Sequence, residues 1–212
     1  MITLYERTDC PVCWKVRLAL AELGLGYRIV ATRLGEKHPD VQRLSPTATV
    51  PVMVDGDISV WESGVVLDYL DARYSPGSLF PTDPGRQTQV RLLHAYSDKC
   101  IGPALRDLVF EKRSKPREDW DKAVIESSEA AWLECQGWLE NNVNALSSSG
   151  CWLTAAECAI AARCGVAEAY GAAVRPEFPS LYDWYQAVKW RPAWDAAFPR
   201  AFPGKTAELL SI

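Results

Sequence analysis

Ile2-Thr3-Leu4-Tyr5-Glu6-Arg7-Thr8-Asp9-Cys10-Pro11-Val12-Cys13-Trp14-Lys15-Val16-Arg17-Leu18-Ala19-Leu20 decides how the rest of the chain is read. Its first apolar residues form a short β-prone run that ends in the polar cluster Glu6 to Asp9. From there Val12, Val16, Ala19, Leu20 and Leu23 recur at helical spacing. The order is strand, loop, helix. Gly24 and Gly26 stop the helix, and Tyr27-Arg28-Ile29-Val30 resumes β character, so the chain opens with a βαβ unit.

Outward from that unit, residues 33–49 are polar and aperiodic and read as irregular chain. Residues 50–54 and 58–60, on either side of Asp55-Gly56-Asp57, spell a hairpin. Val65, Val66, Tyr69, Leu70 and Tyr74 then share one helix face before Ser75-Pro76-Gly77. Residues 1–78 are thus an α/β domain of βαβ-ββα order. A linker is expected at 79–86, where Pro81 and Pro84 fall, and an all-helical domain at 87–212. Its helices are expected near 88–112, 118–142, 154–171 and 179–190, with the tryptophans of this half as bundle core. Thr154 and Glu157 have the T-x-x-E spacing of a capping box, with Leu153 and Cys158 as a hydrophobic staple across it.

The 212 residues suffice for one large core or two modest ones, and 48% hydrophobic against 24% charged residues excludes a disordered or fibrous chain. A net charge of -4 argues against binding to nucleic acid or an anionic membrane. The most apolar tract, 155–174, is interrupted by Glu157, Arg163 and Glu168 and reads as a buried helix, not a membrane span. No basic-then-apolar signal pattern precedes the first strand, so a cytoplasmic location is expected. The 7 cysteines are an odd number without a disulfide-framework spacing, which points to reduced thiols.

Chemistry concentrates at Cys10-Pro11-Val12-Cys13. The turn puts Cys10 at or beside the N-cap of the first helix and Pro11 at N1, where a missing N–H costs nothing. Free N–H groups and the positive end of the helix dipole favour a thiolate, so Cys10 is the attacking sulfur. Cys13, about one turn on, is placed to resolve a mixed disulfide on Cys10. The alternatives are inert buried thiols and half of a zinc site. For zinc, Cys100, Cys135, Cys151, Cys158 and Cys164 supply no second C-x-x-C, and His38 and His94 stand alone, so no metal is expected.

With these pieces in this order, the chain resembles the glutathione transferase superfamily over nearly its whole length. The Cys10-Pro11-Val12-Cys13 turn is similar to that of cysteine-type, omega-like members and glutaredoxins. Val50-Pro51 resembles the valine and cis-proline of the thioredoxin-like fold, and Glu62-Ser63 the family's glutamate-serine pair. The run from Cys13 to Leu20 also looks like the zeta-class opening helix, although Cys10 stands where that class has its catalytic serine.

The resemblance implies a thioredoxin-like first domain that binds glutathione. The Val50 backbone would pair with the cysteinyl part, Ser63 would hold the γ-glutamyl carboxylate, and Glu62 would accept the ammonium; the alternative for Glu62-Ser63 is a simple helix cap, and both readings can hold at once. Thr49 stands where many relatives carry a basic or small apolar residue. Lys37 matches by spacing an omega-class lysine on the glycine carboxylate, its alternative being a solvated surface lysine. The second substrate, a small electrophile or disulfide, would lie between the domains near Tyr96, Cys100 and Ile101, whose alternative is core packing. The implied activity is thiol transfer through a Cys10–glutathione mixed disulfide, in a homodimer. Conjugation, isomerisation or ether cleavage of an electrophile is a second reading, and a non-catalytic protein-binding module a third.

Overall fold

The computed structural model describes residues 1–145, 152–199 and 202. The first part runs β1 (Ile2–Glu6), α1 (Pro11–Glu22), β2 (Tyr27–Ala31), α2 (Pro39–Leu44), β3 (Val52–Asp55), β4 (Ile58–Trp61) and α3 (Ser63–Tyr74). Its four strands lie in the order β2-β1-β3-β4. β1 pairs in parallel with β2 and antiparallel with β3, and β4 returns antiparallel beside β3. This is the thioredoxin-like βαβ-ββα arrangement. The hairpin turns on Gly56 at φ +60, a left-handed conformation that glycine adopts without a Cβ clash.

The second part is helical among its described residues. It runs α4 (Pro84–Tyr96), a π-helical turn (Ser97–Ile101), α5 (Gly102–Ser114), α6 (Lys122–Glu140), α7 (Ala155–Ala169), α8 (Pro179–Lys189) and α9 (Pro192–Ala197). The capping box on α7 is present: the Glu157 N–H donates to Thr154 Oγ1 at 3.3 Å, and the Thr154 N–H donates to Glu157 Oε2 at 2.8 Å. Leu153 and Cys158 are both buried beside it.

Four expectations need correction. The stretch read as irregular contains α2, started by Pro39 at N1 and by the His38 ring, which accepts the Asp40 N–H at 3.2 Å. One and a half turns are too few to show periodicity. The stretch read as a linker is packed structure. Leu79 and Phe80 are buried, their N–H groups donate to Asp71, and α4 already begins at Pro84. The helix expected over 88–112 is two helices joined by the π-helical turn, and α9 lies beyond the last one expected. Finally, Trp132, Trp184 and Trp194 are buried as expected, but Trp190 is 87% exposed, so not every tryptophan is a core filler.

The core joins the two parts through α1, which is buried because α3 of the first part packs against it, as do α7 and α9 of the second. Trp14 meets Trp194 with ring centroids 4.8 Å apart and Phe198 at 5.3 Å. It also lies over Gly165 of α7, where an added Cβ would stand 2.3 Å from the indole. Two buried charges anchor the same helix. Arg17 binds Glu6, the Thr8 carbonyl and the Ala197 carbonyl, and Glu22 receives two bonds from Arg191 at 2.6 and 2.7 Å. No described helix is long and apolar enough to cross a membrane.

Candidate active site

Everything that positions the reactive turn follows from β1 ending at Glu6 and α1 starting at Pro11. Cys10 is the N-cap, in extended conformation (φ -87, ψ 121), and its carbonyl accepts the N–H groups of Cys13 at 3.1 Å and Trp14 at 2.9 Å. Only 7% of Cys10 is exposed and none of Cys13. The Cys10 thiol is pulled below the ordinary thiol range, first because Cys13 donates its S–H to it. Backbone N–H groups of Cys13 and Val12 and the charge of Arg7 add to this against the cost of burial. Cys13 moves the opposite way, well above that range, because of burial and the adjacent Cys10 sulfur. One sulfur is thus prepared as the anion and the other as its hydrogen-bond donor.

Three clefts meet at this turn, each faced by one of three successive residues. Cys10 faces a cleft of about 270 Å³ that also involves Thr32, His38, Ala48, Thr49 and Val50. Val12 faces a second of about 380 Å³, bordered by Thr49, Val50, Pro51, Glu62 and Ser63. Pro11 faces a third of about 310 Å³ between the two parts of the chain, with Leu105, Val109, Phe110 and Val166 on its apolar walls. Arg7 borders the first and third, and Asp98 and Arg163 border the second and third.

The residues singled out from the sequence divide accordingly. Thr49, Val50, Pro51, Glu62 and Ser63 come together around the second cleft. The Val50–Pro51 bond is cis, and Val50 lies just before the β3 ladder, outside strand pairing. Glu62, the residue before α3, is exposed and has φ +65, a conformation that costs a non-glycine residue about 1–3 kcal/mol. Ser63 is 7% exposed, and no described residue engages its hydroxyl. Lys37 is exposed between Glu36 and His38, which line the first cleft while it does not. Tyr96, Cys100 and Ile101 line none of the three clefts. The Tyr96 ring stacks on Trp138 at 4.0 Å, Cys100 is exposed on the π-helical turn, and Ile101 is fully buried core. The turn of the helix at Gly102 instead directs Gly102, Pro103 and Leu105 toward the interdomain cleft.

Sequence reading missed the charged residues. Asp9 accepts from Arg7 Nε at 2.5 Å and from Arg113 Nη1 at 2.8 Å, bridging the turn between β1 and α1 to α5. Lys15 Nζ, almost fully buried, lies 2.6 Å from Asp98 Oδ2 and 3.0 Å from His94 Nε2, and Arg163 reaches Asp98 Oδ1 at 3.4 Å. Burial lowers the His94 pKa to about 4, with Lys15 adding to the effect, so this ring is neutral. Apart from Arg7–Asp9, none of these contacts has a sequence signal, because each joins residues far apart in the chain. Among the described residues, no group of three or more His, Cys, Asp or Glu side chains is arranged to hold a metal.

The chain has relatives both in sequence and in fold. Residues 4–78 match the family described as glutathione S-transferase, N-terminal domain. Glutathione S-transferase GstB of Escherichia coli is 32% identical over 133 residues, 60% of this chain and 64% of that protein. A stringent starvation protein A homolog of Haemophilus influenzae is 32% identical over 93 residues, 44% of each chain. The chain thus spans less than two thirds of the length of these relatives. A glutathione S-transferase structure from Rhodospirillum rubrum superposes with a TM-score of 0.86 at 25% identity, covering 99% of both chains. Residues 4–78 are thus similar to the glutathione S-transferase N-terminal domain, and the chain as a whole shares the fold of a glutathione S-transferase structure.

Proposed function

We propose that the protein is a glutathione-dependent thiol transferase acting through Cys10. The observation that carries this reading is the stabilised Cys10 thiolate, with Cys13 as its donor, where three clefts converge. A protein that only activates the thiol of glutathione has no use for an anionic sulfur of its own at that point.

In the reaction, the Cys10 thiolate attacks the glutathione sulfur of a mixed disulfide. A bond forms between Cys10 and glutathione, the original S–S bond breaks, and the second substrate leaves as a thiolate that takes a proton from water. A second glutathione thiolate then attacks the Cys10–glutathione bond, releasing oxidised glutathione and restoring the Cys10 anion. Each step exchanges one disulfide for another, so no outside oxidant is required.

Glutathione fits the two clefts of the first domain. The Val50 backbone pairs with its cysteinyl part, and the Ser63 hydroxyl and free N–H groups opening α3 hold its γ-glutamyl carboxylate while Glu62 takes the ammonium. Its glycine end extends past Thr49 toward His38 and Ala48, with Lys37 beyond the rim. Two copies of the chain pair through the face where Val65 of α3 and Leu92 of α4 are 53% and 65% exposed, which light scattering on the purified protein tests. The activity is tested with the mixed disulfide of glutathione and mercaptoethanol. Turnover by the native protein and none by Cys10→Ser is the expected result. Turnover that survives Cys10→Ser, or conjugation of an aromatic electrophile that appears in it, favours activation of glutathione itself.

A further inference from the structure

The interdomain cleft has a chemical character that goes beyond the reactions above. Its floor and walls are apolar, formed by Pro11, Leu105, Val109, Phe110 and Val166, yet four arginines, Arg7, Arg106, Arg113 and Arg163, border it. Only Asp9 and Asp98 oppose them from the lining itself.

The ion pairs among the described residues do not cancel this charge. Arg7 and Arg113 share the single carboxylate of Asp9. Arg163 and Lys15 share that of Asp98, with His94 beside them neutral. Arg106 is paired with Asp107 at the exposed rim. Even with the Cys10 thiolate counted, five cations face four anions, and the imbalance grows once Cys10 is held in a disulfide and carries no charge.

The guanidiniums are also placed to be read by a ligand. The side chains of Arg113 and Arg163 are 18% and 13% exposed, so their charges act in a partly desolvated setting where an opposite charge counts for more than at the surface. Arg113 lies over the Phe110 ring at 4.8 Å, so the cationic and apolar surfaces adjoin.

We propose that the second substrate of this cleft is an amphiphilic anion, a thiol or disulfide compound with an aromatic or aliphatic body and a carboxylate or similar acidic group. The body packs on Leu105, Val109 and Phe110, the acidic group pairs with Arg113, and the sulfur points past Pro11 toward Cys10. This inference rests on the thiol-transfer reading for its chemistry, while the charge preference itself concerns binding alone.

Two substrates isolate the charge: the mixed disulfides of glutathione with (mercaptomethyl)benzoate and with (mercaptomethyl)benzamide, in which the methylene keeps the leaving thiols alike in acidity. At low salt, kcat/KM is expected to favour the carboxylate by about tenfold, the size of one charge-assisted hydrogen bond. That ratio is expected to fall with added salt and to approach one in Arg113→Gln, with an intermediate value in Arg113→Lys. A ratio near one in the native protein overturns the proposal. So does a ratio that survives in both Arg113→Gln and Arg163→Gln. Should neither disulfide be turned over, the thiol-transfer reading fails, and calorimetric binding of naphthoate against naphthamide decides the charge preference. Tighter naphthoate binding that Arg113→Gln removes supports it, and equal affinities overturn it.

Discussion

Cys10 and Cys13 differ by one helical turn in sequence and by opposite displacements of their acidity. Because the Cys10 anion is favoured in the folded protein, its alkylation rate is expected to reach half its plateau below the ordinary thiol value of about 8.5. Mass spectrometry after brief iodoacetamide treatment at neutral pH is expected to find label on Cys10 ahead of the buried Cys13, Cys158 and Cys164. Arg7→Gln is expected to raise that midpoint by about one unit, since a nearby cation lowers a thiol pKa. His94 supplies a pH dependence of the opposite origin. Its folded value, about 4, lies below the unfolded one, so the unfolded chain binds an extra proton in between and stability falls as the pH drops from about 6.5 toward 4. The loss is on the order of 3 kcal/mol, and His94→Gln is expected to flatten it in urea titrations across that range. Of the candidate site residues, the sequence marks Cys10 and Cys13 by their place at a helix start, and Glu62 and Ser63 by the family resemblance. Arg7, Asp98, Arg113 and Arg163 carry no such mark, since folding alone brings them together.

At the scale of elements, strong periodicity and turn chemistry made β1, α1, the β3–β4 hairpin and α3 legible. α2 and α9 were not, because six residues each do not complete a repeat of the apolar pattern. The stretch before α4 misled for another reason: prolines mark chain turns, and only the Asp71 carboxylate, reached through tertiary structure, shows that this turn is held. α7 provides two measurable contrasts. Thr154→Ala removes the side-chain half of its capping box and is expected to cost about 1 kcal/mol in chemical denaturation. Gly165→Ala drives a methyl into the Trp14 ring, whose own surroundings are closed by Trp194 and Phe198. It is expected to cost about 1–3 kcal/mol or more, as overpacking of a full core does, and to change Trp14 fluorescence.

Across the whole molecule, α1 belongs to the sheet by sequence and to the helical bundle by contact. Heating is therefore expected to unfold the described structure in one calorimetric transition. Arg191→Ala is expected to destabilise both parts together by about 3 kcal/mol, because it leaves the 3%-exposed Glu22 carboxylate without its guanidinium. Two transitions, or loss of structure in the helical part alone, would contradict that coupling. The shared wall formed by Asp98 and Arg163 has a further effect, because one ion pair borders both the cleft at Ser63 and the cleft at Phe110. A molecule entering either space displaces water from the same pair and strengthens the field felt across it. Occupants of the two clefts are therefore not independent guests: the first to arrive sets the electrical environment that the second one meets.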